Sequence, residues 1–358
     1  MPELVATTNE VAAVAPADTF KKVEIAPLCS LEEARGRFEG KYLDSSHVKV
    51  RLTETAQVVT PEGETKFLFL KNALPAGTVS RTWQTLRKLR FSPAKHSRRR
   101  ALKTSMGGEL LFGWILFPSQ EKGGGLIPTL TADTRTQWPE FRNLWPVLWR
   151  IHHIFNEHLP KIAGAQKAKA RSAKESYLDY LFRVHFQEAG ATYSPDRKTF
   201  RAALEQCARE NPEAFEQWFW ETFGHFNPQY FDRLIVANFD GKIQAHIPES
   251  VVPTKKQGEA MMGYTIPGTM FSTITVNRSA LFRAHEDGKN LDGALSCLSA
   301  FGDFAGGELC FPRFGISCPF EPGDVLIGDN ANEQHGNIGP LSGERISIVA
   351  YMRDEFAK

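Results

Sequence analysis

From about residue 230 onward the chain is a train of short β-type runs, and that texture limits the fold more than any other feature. The runs are DRLIVANF, GTMFSTITVN, LSCLSAFG, GELCFP, ISCPFEPGDVLIGD and ERISIVAYM, joined by Gly, Pro and Asn turns. Strands this short bury an apolar face only by closing on one another as a sandwich or barrel. The expected class is α+β. Its core is a double-stranded β-helix (jelly roll, cupin-like) in the C-terminal part, residues 230–358, buttressed by helices from the middle of the chain.

Residues 1–35 read as a disordered or extended lead. Its start, MPELVATTNEVAAVAPADTF, lacks the basic opening and continuous apolar core of a signal peptide. Residues 36–229 read as a mixed, then helical, region forming one compact unit with the core. HVKVRLTE and TKFLFLKN are β-type, SRTWQTLRKLRF predicts a short helix capped by Ser80, and 3–4 spacing of apolar residues predicts helices across 138–225. His152, His153 and His158 fall on one such helix without acids in register, so they read as packing or surface residues.

No apolar run approaches the ~18 residues of a membrane span. Five cysteines, an odd number without CxxC spacing, fit a reduced intracellular protein, nuclear if the source is eukaryotic. A monomer is assumed. The net charge of +2 says little, but its distribution is uneven: between Arg81 and Gly108 lie nine Lys or Arg and no acid. Such a run is often only a solvated face. The segment 81–104, with Arg98, Arg99 and Arg100 and with Trp83 and Phe91 among the cations, also reads as a phosphate-binding surface for nucleic acid.

The chemistry concentrates in FRAHEDGKN, residues 282–290. In an extended segment His285 and Asp287 point to the same side, because side chains alternate. His335 follows the strand GDVLIGD, where a returning strand brings it opposite that pair. Two imidazoles and one carboxylate make the facial triad of non-haem Fe(II) oxygenases and leave three positions free. Zn(II) fits the same ligands. Arg345, ten positions after His335 in an otherwise apolar strand, needs an anion if its guanidinium enters the barrel. The distal carboxylate of 2-oxoglutarate would meet it as a bidentate pair, with Ser347 on the same face as a further donor. A buried ion pair with a protein acid is the alternative.

The stretch HEDGKN…LSAFGDFAGGELCFPRFGISCPFEPGDVL…H…GERISIVAYM, about residues 270–355, resembles the 2-oxoglutarate- and Fe(II)-dependent dioxygenases of the TET/JBP family. Its particular marks are the H-x-D-x-x-N pattern, the short GGEL strand and the ten-residue His-to-Arg spacing. The resemblance implies an enzyme that oxidises the 5-methyl group of a pyrimidine in DNA, 5-methylcytosine ahead of thymine, using Fe(II), 2-oxoglutarate and O2. The alternatives are a 2-oxoglutarate-dependent hydroxylase of a protein side chain or small molecule, or a relative with a different co-substrate. It makes His285, Asp287 and His335 the iron ligands and Arg345, with Ser347, the 2-oxoglutarate anchor. Asn290 would contact the polar edge of a flipped base, and Tyr351 and Arg353 would supply the stacking aromatic and a further base contact. Arg353 stands where a methylcytosine-oxidising relative has histidine. The N-terminal 230 residues match no pattern.

Overall fold

The computed structural model describes residues 20–91, 107–118, 126–137, single positions between 140 and 158, residue 266, and residues 271–290 and 295–353. Its elements in chain order begin with β1 (Lys21–Glu24), α1 (Leu31–Phe38), β2 (Val50–Arg51), β3 (Ala56–Val59), β4 (Thr65–Leu70), α2 (Ala76–Leu86), β5 (Gly108–Pro118) and β6 (Leu126–Leu130). They continue with α3 (Ala132–Thr136), β7 (Thr273–Arg278), β8 (Ser296–Phe311), β9 (Ile316–Cys318), β10 (Val325–Gly328) and β11 (Gly336–Tyr351).

The strands hydrogen-bond in the order β1-β3-β4-β10-β8-β11-β7-β5-β6, and β9 pairs with both β8 and β2. The C-terminal strands occupy the middle of this sheet, as a jelly-roll core requires. N-terminal strands extend it on both sides: β4 runs antiparallel to β10, and β5 antiparallel to β7.

Period-two alternation sorts the apolar residues into two layers. Phe67 and Phe69 of β4 face one layer, while Leu68 and Leu70 face the other. In β10, Leu326 joins the first layer and Val325 and Ile327 the second; β11 places Ile346, Ile348 and Ala350 in the second. The second layer also holds Leu86 of α2 and Phe141, Leu144, Leu148 and Ile151 from the middle of the chain. In the first, the Phe67 ring lies 4.1 Å from that of Phe311 and meets Phe314 edge-on at 5.4 Å. Each such fully buried aromatic contributes roughly 1.5–3 kcal/mol.

A buried ionic turn ties β4 to β10. Asp324, 0% exposed, accepts from the backbone N–H of Asn72 (3.0 Å) and Glu321 (2.8 Å) and from Lys71 Nζ (2.7 Å). Lys71 Nζ also donates to Glu321 at 2.9 Å. Burial pulls the Lys71 ammonium down, but the two carboxylates outweigh it and hold the group above its ordinary value.

Several expectations change. LSCLSAFG and GELCFP are one strand, β8. It crosses GDFAGG because Gly302, Gly306 and Gly307 take φ of +120°, +76° and +66°, so the ladder to β11 bulges without breaking. ISCPFEPGDVLIGD divides instead into β9 and β10. Ser80 is not a cap: α2 begins after Pro75, whose fixed ring presets φ at −59°, and buries Thr78, Thr82 and Leu86 at four-residue spacing. Trp83 and Phe91 are not free stacking faces. Both pack half-buried against the core, under Arg87 and Arg278 respectively, each 5.7 Å from the ring it covers.

His158 is buried, its ring 5.2 Å from Phe20. Arg98, Arg99, Arg100, His152, His153, the first nineteen residues and most of the expected helices over 138–225 lie outside the described residues. Among the described residues no helix is long and apolar enough to cross a membrane.

Candidate metal centre and substrate cavity

His285 and His335 face each other across a single antiparallel bridge, each backbone N–H donating to the other's carbonyl at 2.9 Å. That reciprocal pair fixes their separation and leaves the rings 4.5 Å apart. Asp287 follows in the same extended run, anchored by its N–H to the carbonyl of Asn330 at 2.9 Å. Its carboxylate lies 3.5 Å from His285 Nε2 and 3.7 Å from His335 Nε2. One ligand atom from each of the three lies within 4.8 Å of the others.

The tautomers follow from the outer contacts. His285 Nδ1 lies 2.8 Å from the Arg283 carbonyl, and His335 Nδ1 lies 2.9 Å from the Glu333 carbonyl. A carbonyl only accepts, so each Nδ1 carries the proton and each Nε2 keeps its lone pair for a metal. Octahedral ligands on bonds of ~2.1 Å sit roughly 3 Å apart, so a small contraction seats a divalent ion here. The residues present fit Fe(II), and the fold leaves the remaining positions facing a cavity.

That cavity measures about 420 Å³, within the range for a small ligand. The three candidate ligands line it, together with Val349, Tyr351, Arg353, Asn290, Asn277 and Glu109 among others. The expected base contacts converge. Asn290 and Arg353 form an antiparallel bridge, and one amide donor of Asn290 is committed to Ser296 Oγ at 2.9 Å. The Tyr351 hydroxyl meets Thr275 Oγ1 at 3.1 Å, which leaves the ring along the wall. Burial pushes this phenol above its ordinary value, with Thr275 opposing, so it stays neutral near pH 7.

Arg345 and Ser347 belong to the cavity-facing side of β11, along with Val349 and Tyr351, but lie beyond the residues that line the cavity. Arg345 is 6% exposed, and its guanidinium donates to the carbonyls of Gly307 (Nη1, 2.5 Å) and Ala280 (Nη2, 2.9 Å). No described acid pairs with it, and burial pushes it down to about 10. Its space exists because residue 307 is glycine: a Cβ there would stand 2.7 Å from Nη1. A charged, nearly dry guanidinium held by two carbonyls and the face of the Phe304 ring, 5.8 Å away, fits an anionic ligand.

Sequence reasoning missed Glu109, Thr275, Asn277 and Asn330. Thr275 and Asn277 alternate with buried Ile274 and Val276, and Glu109 precedes buried Leu110; polar residues at period two in apolar strands were the available signal. Asn330 is fully buried in the cavity wall, and neither end of its amide has a partner among the described residues. It offers a donor and an acceptor to whatever binds there.

Residues 236–354 match the Tet_JBP family, described as the oxygenase domain of the 2OGFeDO superfamily. Thymine dioxygenase JBP1 of Leishmania infantum is 38% identical over 127 residues, which are 33% of this chain and 15% of that protein. Thymine dioxygenase JBP1 of Crithidia fasciculata is 41% identical over 66 residues, 18% of this chain and 8% of that protein. The matched region is thus a small part of these curated relatives. A solved structure, NgTET1 in complex with 5mC DNA, aligns over 95% of this chain and 84% of its own at 12% identity and a TM-score of 0.46.

Proposed function

We propose that this TET/JBP-like oxygenase domain oxidises the 5-methyl group of a pyrimidine in DNA, with 5-methylcytosine as the leading substrate. The observation that carries the reading is Arg345: a buried guanidinium without an acid partner among the described residues, ten positions after the last member of a His–Asp–His triad. Fe(II) together with 2-oxoglutarate and O2, when bound, supplies the C–H oxidation and leaves succinate and CO2.

The chain's own residues position that chemistry. His285, Asp287 and His335 hold the metal through two imidazole Nε2 atoms and a carboxylate. Arg345 holds the distal carboxylate of the co-substrate, and Ser347 adds a donor from the same face of β11. Asn290, Arg353 and the Tyr351 ring meet the base. A base stacked in a duplex cannot enter such a cavity, so the target must be flipped or single-stranded.

Within the pyrimidines, Glu109 favours methylcytosine, because a carboxylate accepts only and cytosine presents an exocyclic amine where thymine presents a carbonyl. The names of the curated relatives favour thymine instead. The basic segment, with Arg98, Arg99 and Arg100, serves in this reading as the phosphate contact. Replacing all three with Ala should weaken DNA binding irrespective of methylation. The slope of log affinity against log salt should become shallower by ~0.9 for each phosphate no longer neutralised.

The deciding experiment is mass spectrometry of nucleosides after incubation with methylated or unmethylated duplex, Fe(II) and 2-oxoglutarate. A hydroxymethyl pyrimidine formed with matching succinate release is expected, and the modified base identifies the substrate. Succinate release stimulated by peptide, with no altered nucleoside, would overturn the reading.

A further inference from the structure

Among the described residues no continuous ladder joins the two loops that carry the candidate ligands. They meet through isolated bridges at His285–His335 and Asn290–Arg353 and single bonds such as Asp287 N–H to the Asn330 carbonyl. A metal centre nevertheless needs its ligands held within about half an ångström. Something else must hold these loops, and the contacts converge on one short N-terminal segment, residues 29–43, far outside the matched region 236–354.

Every ligand has a neighbour tied to it. The N–H of Gly40 donates to the carbonyl of Ala284 (2.8 Å), and the N–H of Ala284 donates back to the carbonyl of Lys41 (3.0 Å), one residue before His285. Arg35 Nε donates to Glu286, between His285 and Asp287, at 2.7 Å. Gln334, beside His335 and 1% exposed, donates its amide to Glu39 Oε2 at 2.8 Å. Arg283, whose carbonyl takes the His285 Nδ1 proton, donates to the Tyr42 hydroxyl at 2.6 Å and stacks on its ring. Arg313 bridges the Cys29 carbonyl (3.1 Å) to Glu333 (2.6 Å), whose own carbonyl takes the His335 Nδ1 proton. Beneath them Ala34, Phe38 and Leu43 pack with Ala284 and Cys310 as one apolar cluster.

We propose that segment 29–43 is a positioning element of the metal centre, with Glu39 its principal side chain. The Arg35–Glu286 pair is half exposed on the arginine side and contributes little. The Glu39–Gln334 bond is different: Glu39 is exposed, but the amide it accepts from is buried next to a candidate ligand and would otherwise lack that acceptor. Substitution of a group bonded directly to a ligand typically costs 10- to 100-fold in metal affinity, and Glu39, one residue removed, should fall at the low end. The inference rests on the metal-centre reading alone and is independent of the substrate.

The test titrates the full-length protein with Co(II), whose visible absorption reports coordination, and records thermal unfolding of the metal-free protein. Glu39→Ala should weaken Co(II) binding about tenfold with an unchanged metal-free midpoint. Glu39→Gln should restore the affinity, since its amide oxygen still accepts from Gln334. Arg35→Ala should shift it less than about threefold. Unsubstituted affinity in Glu39→Ala, or equal losses in Glu39→Ala and Glu39→Gln, would overturn the proposal. So would a loss accompanied by a lowered metal-free midpoint, which makes Glu39 merely structural. His335→Ala is the reference: tight Co(II) binding by that variant would sink the metal centre itself, a different failure.

Discussion

Two cations lie against the same sheet, Lys71 half-buried and Arg345 buried, and their surroundings differ in kind. Lys71, at the end of β4, meets the carboxylates of Asp324 and Glu321, and these hold its ammonium above the ordinary value despite burial. Arg345, on β11, meets the carbonyls of Gly307 and Ala280 and the face of the Phe304 ring, and burial lowers it to about 10 with no acid among the described residues paired to it. The first site is a finished piece of scaffold. The second carries a charge cost of about 3 kcal/mol, by ~1.4 kcal/mol per pKa unit, that an incoming anion returns. A buried charge satisfied inside the protein reads as structure, whereas one left to carbonyls reads as a binding site.

The largest effect should come from the finished site. Asp324→Ala leaves two backbone N–H groups without their acceptor and takes one of two carboxylates from Lys71, so urea unfolding should show a loss of about 3–5 kcal/mol, the same with or without 2-oxoglutarate. A loss under about 1 kcal/mol would erase the contrast. Next is Arg345→Met, expected to weaken 2-oxoglutarate binding by ~2–5 kcal/mol while costing less stability than Asp324→Ala. Calorimetry with Fe(II) replaced by an inert divalent ion measures this; unchanged binding would give the guanidinium another partner. Because Arg345 titrates near 10, its deprotonation removes the anchor only at high pH. Affinity for 2-oxoglutarate should stay flat from about pH 7 to 9 and fall above about 10. A midpoint between about pH 6 and 8 would move the anchor to a histidine.

Gly307→Ala should follow, since a Cβ would press on Arg345 Nη1 from a residue at φ +66°. A stability cost of about 1–3 kcal/mol is expected, with 2-oxoglutarate affinity reduced along with it. Wild-type affinity in this variant would show that the glycine serves the bulge alone. Ser347→Ala should be the mildest, about 1 kcal/mol or roughly fivefold in 2-oxoglutarate KM at unchanged kcat. A larger loss would put Ser347, not Arg345, at the centre of the anion site.

The reach of sequence reasoning differs along the chain for reasons visible in particular residues. His285 and Asp287 sit two apart in one extended run, so their common direction is a local property. The period-two alternation of β11 likewise puts Arg345 and Ser347 on one face from the sequence alone. The continuity of β8 through GDFAGG was hidden, because six residues with three glycines look like a turn until β11 pairs with them. Ser80 looked like a cap because serine caps helices in general, but Pro75 opened the helix one turn earlier. Glu109 entered the cavity only because β5 happens to pair with β7, over 160 residues downstream.

The sequence by itself determined the triad, the arginine after it and the jelly-roll texture that carries them. Those depend on alternation, spacing and side-chain chemistry, which act over a few residues. The tertiary structure alone decided that β4 and β5 flank the core, that Arg345 has no acid partner among the described residues and that residues 29–43 brace the metal loops. Each of these is a meeting between distant segments, selected by which surfaces fit when the chain closes, and no local pattern encodes that choice.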